Sequence, residues 1–124
     1  MKALIVDDSS TMRRIEKNIL KQIGFEEFVE AISGRDALKR FTQDRFDLIL
    51  MDINMPEMNG IEALESIRRT DNETPIVMVT SDSDKATVIR AIKAGANQYI
   101  VKPFKEDIFK KKVVPLLPKE DEDA

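Results

Sequence analysis

Six side chains able to do chemistry stand at or just beyond the ends of short apolar runs. Asp7 and Asp8 follow Leu4-Ile5-Val6, and Asp52 follows Asp47-Leu48-Ile49-Leu50-Met51. Thr80 and Ser81 follow Ile76 to Val79, and Lys102 follows Gln98 to Val101. The chain has no His and no Cys. That excludes a Ser-His triad, an imidazole or thiolate zinc site, a phosphohistidine, a thiol nucleophile and disulfides. Taken singly, each remaining residue has a plain structural reading: the Asp pair a turn or cap, Thr80-Ser81 a helix cap, the Lys a solvated end. Their conjunction is different. Two carboxylates about 5 Å apart repel by about 3 kcal/mol at an effective dielectric of 20, and a turn needs only one. Three gathered acids make sense if a cation sits among them, and an all-oxygen donor set suits Mg²⁺. A metal, a carboxylate, a hydroxyl and a lysine are also the parts of a phosphoryl-transfer site. With His absent, a carboxylate is the remaining nucleophile for a covalent phosphoryl intermediate.

For these residues to meet, the elements between them must return each strand end to one edge. Leu4-Ile5-Val6 reads as a buried strand, and Ser9 or Ser10 then caps a helix with Met12, Ile15, Ile19, Leu20 and Ile23 on its inner face. Gly24 is placed to stop that helix. Phe28 to Ile32 reads as a second strand, and Ser33 caps a helix carrying Ala37, Leu38 and Phe41. Asp47 to Met51 is a third strand. The loop Asn54-Met55-Pro56-Glu57-Met58-Asn59-Gly60 leads to a helix with Ile61, Leu64 and Ile67. Ile76 to Val79 is a fourth strand, and Ser83 is expected to cap a helix with Val88, Ile89 and Ile92 inward and Gly95 as its stop. Gln98 to Val101 is a fifth strand. The final helix carries Ile108, Phe109 and Val113 and ends by Pro115.

Strands apolar on both faces, alternating with helices, predict a parallel sheet covered on both sides. Right-handed crossovers leave a doubly wound open sheet, since five units are too few for an eight-fold barrel. In such a sheet ligands bind outside the carboxyl ends of the strands, where the six chemical side chains stand. The reading is one α/β domain over residues 1–117, with 118–124 as an acidic, disordered tail.

The 124 residues carry 20 Lys and Arg against 23 Asp and Glu, with 42% hydrophobic and 35% charged residues. That is a globular composition. The last six residues hold one Lys and four acids, so the net −3 belongs to them and leaves a neutral body. A neutral body gives no basic stripe for nucleic acid. No apolar run approaches the roughly 20 residues of a membrane helix, and the N-terminal run is too short for a signal peptide. A cytoplasmic monomer, with no membrane or nucleic-acid partner, is the expectation.

Leu4-Ile5-Val6-Asp7-Asp8, Asp52 with Asn54-Met55-Pro56 and Gly60, Val79-Thr80-Ser81, and Lys102-Pro103-Phe104 together resemble the receiver domain of two-component response regulators. The resemblance covers nearly the whole chain with its motifs in order. Ser9-Ser10-Thr11-Met12-Arg13-Arg14-Ile15 and the segment from Asn54 to Gly60 are most similar to the single-domain chemotaxis (CheY-like) regulators. The resemblance implies a flavodoxin-like sheet of order 2-1-3-4-5. It also implies that Asp52 is the phosphoacceptor, that Asp8 and Asp52 ligate Mg²⁺ directly, that Asp7 does so partly through water, and that the Asn54 backbone carbonyl completes the set. Thr80 would be the switch hydroxyl, Lys102 the phosphoryl contact across a cis bond to Pro103, and Tyr99 an aromatic switch. Without the resemblance, Tyr99 reads as an ordinary strand aromatic, and Lys110-Lys111-Lys112 as a solvated helix face.

The implied function is that of a stand-alone response regulator. A histidine kinase is its phosphodonor, and a flagellar motor switch protein or another protein is its target. Contact would run through helix four, strand five and helix five, including Lys85, Ile89, Tyr99 and Lys112. A phosphatase is a further possible partner. The chain would then be no enzyme beyond self-directed phosphotransfer and slow autodephosphorylation. Two alternatives stand beside this: a phosphorelay intermediate or adaptor in another two-component pathway, and a Mg²⁺-dependent aspartyl-phosphate phosphohydrolase. The latter type of enzyme carries an Asp two residues after its nucleophile, where this chain has Asn54.

Overall fold

Aliphatic and β-branched runs bounded by Asp, Pro and Gly form the strands, and capped amphipathic segments form the helices between them. The structure, a computed structural model, describes residues 1–118. Its elements alternate as β1 (Lys2–Val6), α1 (Ser10–Gln22), β2 (Glu27–Ala31), α2 (Gly34–Gln43), β3 (Leu48–Met51), α3 (Gly60–Arg68), β4 (Ile76–Thr80), α4 (Lys85–Ala94), β5 (Gln98–Val101) and α5 (Glu106–Val113), with a short 3-10 turn over Val114–Leu116. All five strands are parallel in the order β2-β1-β3-β4-β5, as expected. Among the described residues no helix is long and apolar enough to cross a membrane. The proposed acidic tail lies, from residue 119 on, outside the described residues.

Because strand side chains alternate, each central strand feeds two cores. Leu4, Val6, Ile49, Met51, Ile76 and Met78 face one side, where Ala37 of α2, Leu64 and Ile67 of α3 and Ala91 of α4 pack. Ala3, Ile5, Leu48, Leu50, Val77 and Val79 face the other, where Ile19 and Leu20 of α1 meet Phe109 and Val113 of α5. Ser9 caps α1 by accepting from the Met12 N–H, and Ser33 caps α2 by accepting from Asp36. Asn59 caps α3 in a reciprocal box with Glu62. Gly24 and Gly95 lie in the left-handed region at the ends of α1 and α4, the stops read from sequence.

Several inward positions were misplaced by the sequence pattern. Ile15 is 41% exposed and Glu16 is buried in its stead. At 100° per residue Glu16 lies near the middle of the stripe set by Ile19 and Leu20, and Ile15 about 90° away from it. Ile89 and Ile92 of α4 are exposed; Ala91 is the buried contact and Val88 is half-buried. Ile108 is exposed because Phe109 and Val113 set the phase of α5. β2 ends at Ala31, leaving Ile32 exposed beyond it. The cap position of α4 falls on Asp84, not Ser83, and no side chain caps it.

Candidate functional site

Parallel strands bring their carboxyl ends to one edge, so residues far apart in sequence become neighbours. Asp7, Asp8 and Asp52 each offer a carboxylate oxygen, and these oxygens all lie within 4.8 Å of one another. Asp7 and Asp52 are buried, whereas Asp8 is exposed. The cluster therefore opens to solvent on the Asp8 side and is walled on the other. Hard oxygen donors at this spacing, with no softer ligand nearby, fit a small divalent cation such as Mg²⁺.

The ammonium of Lys102 projects from the end of β5 into this cluster. It donates to Asp7 Oδ2 at 2.6 Å and Asp52 Oδ2 at 3.0 Å. Burial works against its charge, but the hydrogen bonds to Asp7 and Asp52 outweigh that, and its pKa lies above the ordinary lysine value. The Lys102–Pro103 bond is cis.

The backbone around each carboxylate is held in turn. Asp7 Oδ1 accepts from the Ser9 N–H at 2.9 Å, and the Asp7 carbonyl accepts from Arg13 Nη1 at 2.7 Å. Arg13 also pairs with Glu30 at 2.8 Å, which ties α1 to both β1 and β2. Asp52 Oδ1 accepts from the Ile53 N–H at 2.7 Å. The following loop is pinned at both ends. Gly60 donates to the Ile53 carbonyl at 2.9 Å, and Gly34 of α2 donates to the Met58 carbonyl at 3.0 Å. At Gly34 an added Cβ would meet that carbonyl oxygen at 2.4 Å, so only glycine permits this closeness. Neither glycine-to-loop contact is written in the spacing of the sequence.

Thr80 ends β4 fully buried, and its hydroxyl accepts from the Asp82 N–H at 3.3 Å. Ser81 beside it is exposed. Tyr99 is buried on β5, and its hydroxyl donates to the Asp82 carbonyl at 2.5 Å. Thr80 and Tyr99 thus hold the same residue from two strands. Behind Tyr99, Lys112 Nζ donates to the Tyr99 carbonyl at 2.9 Å and joins α5 to β5. Lys85 and Ile89 are exposed on α4. Asn54 is exposed in the loop after β3.

Sequence reasoning missed Glu16. Its side chain is 1% exposed on α1, and its Oε1 has no hydrogen-bond partner. Burial pushes its pKa well up; the charges of Asp7 and Asp52 add to this, and Lys102 opposes it. The available signal was its helical phase against Ile19 and Leu20.

The sequence profile of the response regulator receiver domain matches residues 3–114. This chain belongs to the response regulator receiver family. The receiver is 45% identical over 124 residues to chemotaxis protein CheY1 of Helicobacter pylori, covering 98% of this chain and all of that one. Among solved structures, chemotaxis response regulator CheY4 of Vibrio cholerae superposes with a TM-score of 0.84 at 34% identity, covering 94% of this chain and 98% of that one. The CheX-CheY-BeF3-Mg²⁺ complex from Borrelia burgdorferi gives a TM-score of 0.90 at 27% identity, covering 96% and 90% of the two chains. These relatives make the receiver a response regulator of the chemotaxis type.

Proposed function

We propose that Asp52 accepts a phosphoryl group in a Mg²⁺-dependent reaction and that the receiver then signals by protein contact. The observation that carries this reading is the Lys102 ammonium held between Asp7 and Asp52 beside the exposed Asp8. A carboxylate oxygen of Asp52 forms the new O–P bond while the bond from phosphorus to the donor's phosphohistidine nitrogen breaks. The leaving imidazole keeps that electron pair and takes up a proton. Asp7, Asp8, Asp52 and the Asn54 carbonyl would hold the Mg²⁺, whose charge neutralises phosphoryl oxygens. The Borrelia complex, which contains both BeF3 and Mg²⁺, supports this assignment.

The protein's own groups do the rest. Lys102 releases Asp52 and its ammonium contacts a phosphoryl oxygen. The Thr80 hydroxyl exchanges the Asp82 N–H for another phosphoryl oxygen. Movement of Thr80 disturbs the segment at Asp82 to which the Tyr99 hydroxyl is bonded. Tyr99 and Lys112 then pass the change to the face formed by α4, β5 and α5, with Lys85 and Ile89 exposed on it. We assign a histidine kinase as donor and a flagellar motor switch protein as target. A phosphatase is a further partner in this reading, and the Borrelia complex, in which CheY is bound to CheX, supports contact with other proteins. In this reading the receiver acts in the cytoplasm as a monomer, and it is a switch with only self-directed transfer and slow autodephosphorylation.

Incubation with a small acyl-phosphate and Mg²⁺ is expected to add one phosphoryl group by intact mass. Asp52→Asn is expected to abolish it, and labelling that survives the substitution would overturn the assignment.

A further inference from the structure

A buried carboxyl oxygen with no hydrogen-bond partner calls for a function. Helix α1 runs back down from the site edge, so Glu16, its seventh residue, lies about 9 Å along the axis from the start of the helix. It is one turn nearer the site than Ile19 and Leu20, which pack with Val79, Ile100 and Phe109. Its Oε1 is buried and accepts no hydrogen bond. The charges of Asp7, Lys102 and Asp52 act on its carboxyl, in keeping with its place toward the site end of α1.

Lys102 presents the complementary vacancy in hydrogen bonding. An ammonium has three N–H donors. Two are taken by Asp7 and Asp52, and no third acceptor among the described residues is bonded to it. A buried acceptor lacking a donor and a donor lacking an acceptor are thus both found toward the site end of the fold. A carboxyl group offers an acceptor oxygen in either protonation state.

We propose that Glu16 is a positioning residue for Lys102: its buried carboxyl receives the ammonium when Asp7 and Asp52 are engaged by a divalent cation. This inference rests on the reading of Asp7, Asp8 and Asp52 as a cation site. Occupation of that site draws on both carboxylates that now hold Lys102 and sets a like charge beside it, which weakens their hold on the ammonium. Turning inward to Glu16 keeps the ammonium hydrogen-bonded and within the pocket. Without Glu16, binding the cation leaves Lys102 with no inner acceptor, and cation affinity falls.

The test is calorimetric titration of Mg²⁺ into the full chain and into Glu16→Leu, Glu16→Gln, Lys102→Met and the Glu16→Leu/Lys102→Met double variant. Glu16→Leu is expected to bind Mg²⁺ about three- to tenfold more weakly, the size of a coupling within one network. Glu16→Gln, which keeps an acceptor, is expected to restore affinity to within about twofold. In the Lys102→Met background Glu16→Leu should change nothing further. In addition, the Lys102 ¹⁵Nζ resonance should shift on adding Mg²⁺ in the parent and in Glu16→Gln but not in Glu16→Leu. Glu16→Val repeats the test should Leu disturb the packing. Unchanged affinity in the apolar variants, or a loss equally large without Lys102, would overturn the role of Glu16. A parent chain that binds no Mg²⁺ would overturn the cation site as well.

Discussion

A Cβ atom on Gly60 would stand 1.9 Å from the carbonyl oxygen of Asp52, so helix α3 starts in backbone contact with the strand end that carries the candidate phosphoacceptor. The Gly60 N–H also donates to the neighbouring Ile53 carbonyl. A methyl group here cannot be absorbed by a flexible side chain; either the helix start or Asp52 must shift. Gly60→Ala is expected to cost about 1–3 kcal/mol or more in denaturant unfolding, the range of overpacked sites. It should also slow acyl-phosphate labelling of Asp52. Parent-like stability would show that the loop relaxes freely.

The strand ends were legible in sequence because each is an apolar run stopped by a polar residue. A parallel sheet then leaves little choice about where Asp7, Asp52, Thr80 and Lys102 go. Helix stops at Gly24 and Gly95 were legible for an equally local reason, a backbone needing positive φ. Helix phase was less legible. Ile15, Ile92 and Ile108 look inward by type, yet their neighbours win the buried side and leave them exposed. Contacts between distant backbones left no pattern at all. Gly34 against Met58 and Arg13 against the Asp7 carbonyl follow from how α1, α2 and the β3–α3 loop meet in space.

Asp8 is the member of the acidic cluster that Lys102 does not hold. In chelator, Asp8→Ala removes a charge that repels Asp7 and Asp52 while leaving both ion pairs of Lys102 in place. Its unfolding midpoint is expected to rise, with a gain of up to about 1 kcal/mol because Asp8 is exposed. At saturating Mg²⁺ the order should reverse, since the parent gains binding energy that the variant lacks. A less stable variant in chelator would mean that Asp8 is a turn residue.

Tyr99 is the sole tyrosine and the chain has no Trp, so ultraviolet phenolate absorbance reports on it alone. Burial, reinforced by the charges of Asp82, Asp52 and Asp84, pushes its pKa from 10.0 to about 12. The folded state holds this proton more tightly than the unfolded one. Its contribution to stability is therefore complete below pH 10 and lost as pH rises from there toward 12. The phenol titration is expected to centre near the upper value in the folded chain. Tyr99→Phe should flatten the alkaline loss and cost about 1 kcal/mol at neutral pH through the missing bond to Asp82. A midpoint at the ordinary tyrosine value would place the ring in solvent.

Glu16 gives the opposite end of the pH scale its own signature. Burial first, then the charge of Asp7, raises its pKa well above 4.5, with Lys102 pulling the other way and Asp52 adding to the rise. A raised value means that the folded state binds the proton more tightly. The contribution of Glu16 is then fully present below pH 4.5 and is lost as pH climbs through the folded value. Glu16→Leu removes both this loss and an unpartnered buried oxygen whose desolvation costs about 1–3 kcal/mol. Measured in chelator, where no cation competes for Asp7 and Asp52, the variant should be more stable than the parent. Its advantage should widen as pH rises above 4.5 in denaturant unfolding. An advantage that does not change with pH above 4.5 would show that the folded carboxyl holds its proton no more tightly than the unfolded one.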